Sequence, residues 1–268
     1  IGTNIDIKAT EVKKLIDFLK KENIDLTLAL PDDPLALGIV DQFQKENLRI
    51  FGPTQGASKL EWSKAFSKNF MQKYNLPTAK FQTFTDFEKV KVYLEKQNLP
   101  LVIKASGLAL GKGVVIAQNH AEALETLENI MVKKVLGNAG NEVVIEEFLS
   151  GTEISTHAFT DGTSYKTFPS SQAHKKIGEG DTGLNTGGMG TIAPLPFASR
   201  ELMENIEKEI ISPTINNMLK ENTPFNGVLY PGLMLTTNGP KILEYNARFG
   251  APETQTYMSL LATDILDI

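Results

Sequence analysis

The stretch IKASGLALGKGVVIA, residues 103–117, constrains the fold more than any other part of the chain. Two β-branched apolar runs flank a connection that carries Gly107, Gly111 and Gly113, with Lys104 before it and Lys112 on it. Runs this short read as strands, and a glycine-rich connection this short returns the chain as a hairpin. The phosphate loop G-x-x-x-x-G-K-[ST] is excluded. With its lysine on Lys112, that pattern needs glycine where Ser106 stands and serine or threonine where Gly113 stands, and it leads from a strand into a helix. Two readings remain for the tip: a flap whose backbone N–H groups close over a polyphosphate, or a turn with solvated lysines.

Around this hairpin, LPLVIKAS, GVVIAQ, a helical stretch near 120–136 and EVVIEEFL form a strand–strand–helix–strand lobe. At the start of the chain, TEVKKLIDFLKKEN puts Val12, Leu15, Ile16 and Leu19 on one helical face, and IDLTLALP follows as a buried strand. LALGIVDQFQKENLRIFGP repeats the helix–strand order, so residues 1–60 read as a small parallel α/β unit, incomplete with two strands. LEWSKAFSKNFMQKYNLP reads as a single helix stopped at Pro77, and FTDFEKVKVYLEKQNLP opens on a capping box from Thr85 to Glu88. After the lobe come the strands EISTHAFT, SYKTFPSS, GVLYPGLMLTT and KILEYNA, with a long helix from Ser199 to about Lys220. The stretch 175–198, KKIGEGDTGLNTGGMGTIAPLPFA, reads as one long irregular loop. The fold class is therefore α/β and α+β.

Composition removes several chemistries. The chain has no cysteine and only three histidines, which excludes disulfides and thiolate catalysis and leaves oxygen as the expected metal donor. A net charge of −5 argues against a broad nucleic-acid-binding surface and for small-molecule partners. No stretch is long and apolar enough for a membrane-spanning helix, and the first residues lack the pattern of a signal peptide, so the expectation is a cytoplasmic protein with neither nucleic acid nor membrane as partner.

Three further stretches carry candidate chemistry. In VVIEEFLSGTEIS a buried strand runs into Glu146 and Glu147, and Glu153 follows; a strand end with free backbone groups suits an adenine edge and a carboxylate suits ribose hydroxyls, although the glutamates equally mark a strand surfacing. In KILEYNARFGAPETQ, Glu244 and Asn246 stand two apart on a strand and point to the same face. That oxygen pair suits Mg²⁺, which completes its octahedron with water and phosphate, and Arg248 follows at the strand end for a carboxylate or phosphate. In GDTGLNTGGMG, residues 180–190, glycines among polar residues either wrap a small ligand or are slack.

Taken together and in order, IFGPT, SKAFSKNFM, GLALGKGVVIA, VVIEEFLSGTE, GEGDTGLNTGGMG, GVLYPGLM and EYNARFGAPETQ resemble the phosphoribosylamine–glycine ligase family of the ATP-grasp superfamily. The resemblance implies an ATP-grasp fold over residues 61–268 with a small lid subdomain at about 80–149, preceded by the remnant of a Rossmann-like parallel α/β domain. It implies ATP and Mg²⁺ (or Mn²⁺) as cofactors, glycine and 5-phosphoribosylamine as substrates, and a monomer or weak oligomer. By the same resemblance Lys64, Lys104, Lys112, Gly111, Gly113 and Val114 meet ATP, with Lys112 and Arg248 as catalytic residues. Glu146, Phe148 and Leu149 line the adenine pocket and Glu153 takes the ribose. Glu244 and Asn246 ligate the metal, while Asp181, Thr182, Asn185, Thr186, Gly187, Gly188 and Met189, with Arg248, border the two substrates.

The match departs from the family pattern at Ser106, Ala173 and Ala251, where the family carries an acid, and at Leu30, Pro31 and Asp32, where it carries glycine, proline and glutamate. A hydrogen bond to a charged group contributes ~1.5 to 3 kcal/mol, enough to alter substrate choice. The family pattern also places a first strand before residue 1 and a further domain after Ile268, so the chain reads as an internal piece. Competing readings are a carboxylate–amine ligase of altered substrate and a nucleotide-binding relic without catalysis; a Rossmann oxidoreductase is disfavoured by the lack of a G-x-G-x-x-G.

Overall fold

The computed structural model describes residues 2–109, 112–180 and 182–268. Its first part is the parallel unit expected from the two helix–strand repeats. Helix α1 (Val12–Glu22) buries Val12 and Leu19, and its neighbours Leu15 and Ile16 lie on the same apolar cluster with Leu35, Val40 and Phe43. Strands β1 (Thr27–Leu28) and β2 (Ile50–Phe51) pair in parallel, with α2 (Asp32–Ala36) and α3 (Ile39–Lys45) between them in sequence.

The helix expected over residues 60–77 is two helices, α4 (Gln55–Trp62) and α5 (Lys64–Lys73). Ser63 separates them. Its backbone is extended and its hydroxyl accepts the Phe66 N–H, so one residue ends the first helix and caps the second. A serine that captures a backbone donor competes with helix continuation, and here it wins.

The lobe that follows forms a four-stranded antiparallel sheet of β3 (Phe81–Phe84), β4 (Leu101–Ala105), β5 (Val114–Ala117) and β6 (Val143–Glu147), ordered β3-β6-β4-β5. Helices α6 (Phe87–Leu94) and α7 (His120–Leu127) cover it through a core that includes Val90, Leu127, Ile103 and Ile145. The cap of α6 is Asp86, whose carboxylate accepts the Lys89 N–H at 2.9 Å, and not the expected Thr85. A charge-assisted bond from the third helical N–H outcompetes a hydroxyl one residue earlier. Gly113 of the opening hairpin has a packing role: a Cβ there would lie 2.8 Å from the Ala109 side chain.

The second sheet is built around a long central strand, β12 (Asn226–Thr236). It pairs antiparallel with β7 (Thr152–Ser155), β8 (Ala158–Asp161) and β13 (Gly239–Asn246), and β9 (Tyr165–Thr167) adds to β8. Residues 172–192 form a hairpin of β10 (Gln172–Gly178) and β11 (Thr182–Ile192), which corrects the expectation of a loop there. Glycine-rich sequence offers no side-chain pattern to reveal a strand, yet its backbone groups satisfy one another in a ladder like any others. The expected long helix runs from its cap at Ser199 through α8 (Arg200–Ile206), a π-helical turn and α9 (Ser212–Lys220). The chain then passes from β13 into α10 (Glu253–Leu260).

The register of β13 against β12 slips once. Gly232 faces Glu244 and the next residue, Leu233, faces Ile242, so Leu243 is a bulge residue without an opposite partner. This slip lets Ile242 and Tyr245, three apart, both enter the main core while Glu244 and Asn246 share the other side. Among the described residues no helix is long and apolar enough to cross a membrane.

Candidate active site

Both sheets line one cleft of about 1040 Å³. The first sheet contributes Val102 and Lys104 from β4, Gly113 and Val114 at β5, and Glu146 with Phe148 and Leu149 at the end of β6. The second contributes Glu153 on β7, and Glu244 and Asn246 on β13 with Arg248 just beyond it. Lys64 enters from α5, and Thr186 and Gly187 from the hairpin. Thus the sequence-expected residues from opposite ends of the chain meet in one place. Lys112 is exposed on the tip and does not line the cleft, nor do Thr182, Gly188 and Met189 on the hairpin. The backbone of Asn185 pairs with Lys176 across the hairpin; Gly111 and Asp181 lie outside the described residues.

At the metal candidate, strand alternation puts the Glu244 carboxylate and the Asn246 amide on one face, while the bulge at Leu243 turns Ile242 into the core beside Tyr245. Burial alone would raise the Glu244 carboxyl, but Lys64, Lys104, Lys175 and Arg248 reverse the shift and hold it below the ordinary carboxylate range. An ionised carboxylate beside an amide oxygen, in a cleft rich in lysine and arginine, is a donor set that fits a hard cation arriving with phosphates. No group of three or more histidine or acidic side chains suited to a metal exists among the described residues, so phosphate and water oxygens would complete the coordination.

At the strand end, Phe148 and Leu149 make no backbone hydrogen bond to another described residue, which leaves donors and acceptors for a flat heterocycle. Glu146 is not a surface residue marking the end of its strand: it is 2% exposed and sits between two lysines. Lys68 Nζ lies 2.9 Å from Oε2 and Lys104 Nζ lies 3.0 Å from Oε1, both at ion-pair distance. Lys104 also donates to the carbonyl of the bulge residue Leu243 at 2.9 Å. Burial pushes the Lys68 ammonium down to about 8, with Glu146 pulling the other way.

Glu153 pairs with Lys175 at 2.5 Å across the mouth. At the far end Arg248 Nη2 is 3.0 Å from Glu61 Oε1, while Glu61 Oε2 accepts the Ala247 N–H at 2.8 Å. Burial raises the Glu61 carboxyl even against these partners. One α4 side chain therefore orients the turn that carries the arginine. Behind that turn, His157 stacks on Tyr230 at 3.8 Å and contacts the Tyr257 hydroxyl through Nδ1, and burial, followed by the Arg248 charge, pushes it down to about 3. Glu253 Oε1 accepts from the Tyr230 hydroxyl at 2.7 Å and from Ser155 at 3.2 Å.

Lys68, Glu61, Lys175 and Glu253 were not singled out from sequence. Lys68 stands one helical turn beyond Lys64 in SKAFSKNFM, a spacing that signals a shared face, and Lys175 lies in the QAHKK run. Among the three positions lacking the family's acid, Ala173 and Ala251 line the cleft, whereas Ser106 is buried beside α5, its hydroxyl accepting the Ala65 N–H at 3.1 Å.

Comparison with known proteins adds the family. Residues 62–254 match the phosphoribosylglycinamide synthetase ATP-grasp (A) domain and residues 1–61 match the N domain of the same synthetase. The chain belongs to the phosphoribosylglycinamide synthetase family. Among its relatives, the phosphoribosylamine–glycine ligase of Streptococcus pneumoniae is 47% identical over 260 residues, covering 97% of this chain and 62% of that protein. A bifunctional purine biosynthetic protein of Pichia angusta is 51% identical over 255 residues, 95% of this chain and 32% of its own length. The crystal structure of phosphoribosylamine–glycine ligase from Thermotoga maritima superposes with a TM-score of 0.83 at 33% identity, over 97% of this chain and 62% of that one. This chain thus spans less than two thirds of the length of these relatives. The biotin carboxylase domain of the Hydrogenobacter thermophilus 2-oxoglutarate carboxylase, solved with MgADP, has a TM-score of 0.78 at 17% identity over 99% of this chain and 57% of its own, which marks a shared ATP-grasp fold.

Proposed function

We propose that this chain is the nucleotide-binding part of an ATP-dependent ligase that joins glycine to 5-phosphoribosylamine. The observation that carries this reading is the convergence of Lys104, Glu146, Glu153, Glu244, Asn246 and Arg248 on one cleft between two sheets. In this reading the glycine carboxylate attacks the γ-phosphorus of ATP, releasing ADP and leaving glycyl phosphate. The amine of phosphoribosylamine then attacks the acyl carbon, phosphate departs with the bonding pair, and the amine proton is lost to solvent or base. Such chemistry needs positioning and charge neutralisation rather than an enzyme nucleophile, which suits a chain without cysteine.

Each part of the cleft has a role in this proposal. Phe148 and Leu149 seat the adenine and Glu153 the ribose. Lys64 and Lys104 meet the phosphates, with Lys112 and the glycines of the flap closing over them. Glu244 and Asn246 hold Mg²⁺, which draws charge from the transferring phosphoryl group. Arg248 and the hairpin face glycine and the amine. The organisation proposed is a parallel α/β unit over 1–60 and an ATP-grasp domain over 61–268 with its lid at about 80–149.

The test is ADP release by the complete protein supplied with glycine and freshly generated phosphoribosylamine. Release that needs both substrates supports the ligase. Ala173 and Ala251 in the cleft motivate a second reading, a ligase for a different carboxylate or amine, and stimulation by another pair but not by this one would favour it.

A further inference from the structure

The buried cluster around Glu146 holds one cation more than its carboxylate requires. The side chains of Lys68 and Glu146 are each 2% exposed and that of Lys104 is 7% exposed. Lys68 is anchored on a second side as well: its ammonium donates to Thr78 Oγ1 at 2.7 Å, and that hydroxyl donates to the Ile242 carbonyl at 2.6 Å. Lys104 likewise has two partners: it reaches Glu146 Oε1 at ion-pair distance, and its one hydrogen bond goes to the backbone carbonyl of Leu243.

A carboxylate in dry surroundings has to keep a cation beside it. If Lys104 were the sole partner of Glu146, turning that lysine toward a phosphate would strand the carboxylate. With Lys68 on the other oxygen, Lys104 leaves without that cost, and an incoming phosphate offsets the surplus positive charge. We propose that Lys68 is a positioning residue of the nucleotide site: by retaining Glu146 on its Oε2 side, it frees Lys104 to bind a nucleotide phosphate. This rests on the reading that the cleft takes Mg·ATP, and it assigns to α5 a role beyond packing.

The test is a double-mutant cycle on this chain, read by calorimetry with Mg²⁺ and a non-hydrolysable ATP analogue. Lys68→Met is expected to weaken binding more than tenfold, because Lys104 must then stay with Glu146. In the Glu146→Gln background, with no carboxylate to neutralise, the same change is expected to alter affinity less than threefold. Adenosine, which has no phosphate, should compete equally well in wild type and Lys68→Met, an outcome a general loss of packing would not give. A folded Lys68→Met that binds the analogue like wild type overturns the proposal. If Lys68→Met does not fold, the comparison of Glu146→Gln with the double variant decides: a difference above tenfold overturns the proposal, and a difference below threefold supports it. Wild-type protein that fails to bind the analogue overturns the nucleotide reading itself, and this inference with it.

Discussion

The side chains that matter most here are buried ionisable groups whose partners come from distant parts of the chain. The Lys68–Glu146–Lys104 cluster joins α5, β6 and β4, so no local pattern announces it, whereas Glu244 and Asn246 were legible because strand periodicity alone puts residues two apart on one face. Glu244→Ala is expected to weaken ATP binding more than tenfold in the presence of Mg²⁺ and to remove its dependence on Mg²⁺. Calorimetry with and without the metal checks this, and a variant whose ATP affinity still rises with Mg²⁺ removes Glu244 from the metal role. His157 makes a different prediction. It is held neutral down to about pH 3, whereas in the unfolded chain it titrates near 6.5. Between those values the unfolded state binds one more proton, so stability rises with pH and is lost as pH falls from 6.5 toward 3. Urea unfolding at pH 7 and pH 5 should show wild type losing about 2 kcal/mol more than His157→Gln on acidification. Equal losses would mean that this imidazole is not the acid-sensitive group.

Elements were legible where side chains alternate or recur with a helical period, as in α1, β6 and β13, and less so where backbone or capping decides. Ser63 divides a helix whose residue pattern is continuous, and the β10–β11 hairpin is written in glycines that betray no period. The hairpin's placement against α10 rests on one of them. Gly188 has a φ of +125°, and a Cβ there would lie 2.2 Å from Pro252 Cδ. Gly188→Ala is therefore expected to cost roughly 1 to 3 kcal/mol in denaturant unfolding. Gly190→Ala, which meets open space, should be near neutral. Equal effects at the two sites would show that the hairpin does not depend on this contact.

In the whole molecule, three apolar cores surround or flank the cleft, one in the first α/β unit, one in the four-stranded lobe and one beneath β12 and β13. The order of these units along the chain was readable from the alternation of helix and strand patterns, whereas a common cleft for residues 104, 153, 244 and 246 was expected only from the motifs taken together and the family they resemble, because a cleft depends on how separate cores face one another. A ligand that bridges the cores should stabilise them as one unit. At a concentration 100-fold above its Kd, Mg·ATP is expected to raise unfolding free energy by about 2.7 kcal/mol, measured by denaturant titration with and without nucleotide. An unchanged midpoint would argue that the cleft is not the nucleotide site. One irregularity ties these scales together. The ribbon of residues 239–246 has one residue more than its neighbour can match, and the carbonyl of that surplus residue receives the ammonium at position 104. A tidier ribbon would be straighter, yet it would turn either the tyrosine at 245 or the isoleucine at 242 away from the interior and leave the lobe opposite without its foothold. Any change in that ribbon's length, natural or engineered, has to come in pairs of residues and away from the misfit, because the misfit is the joint.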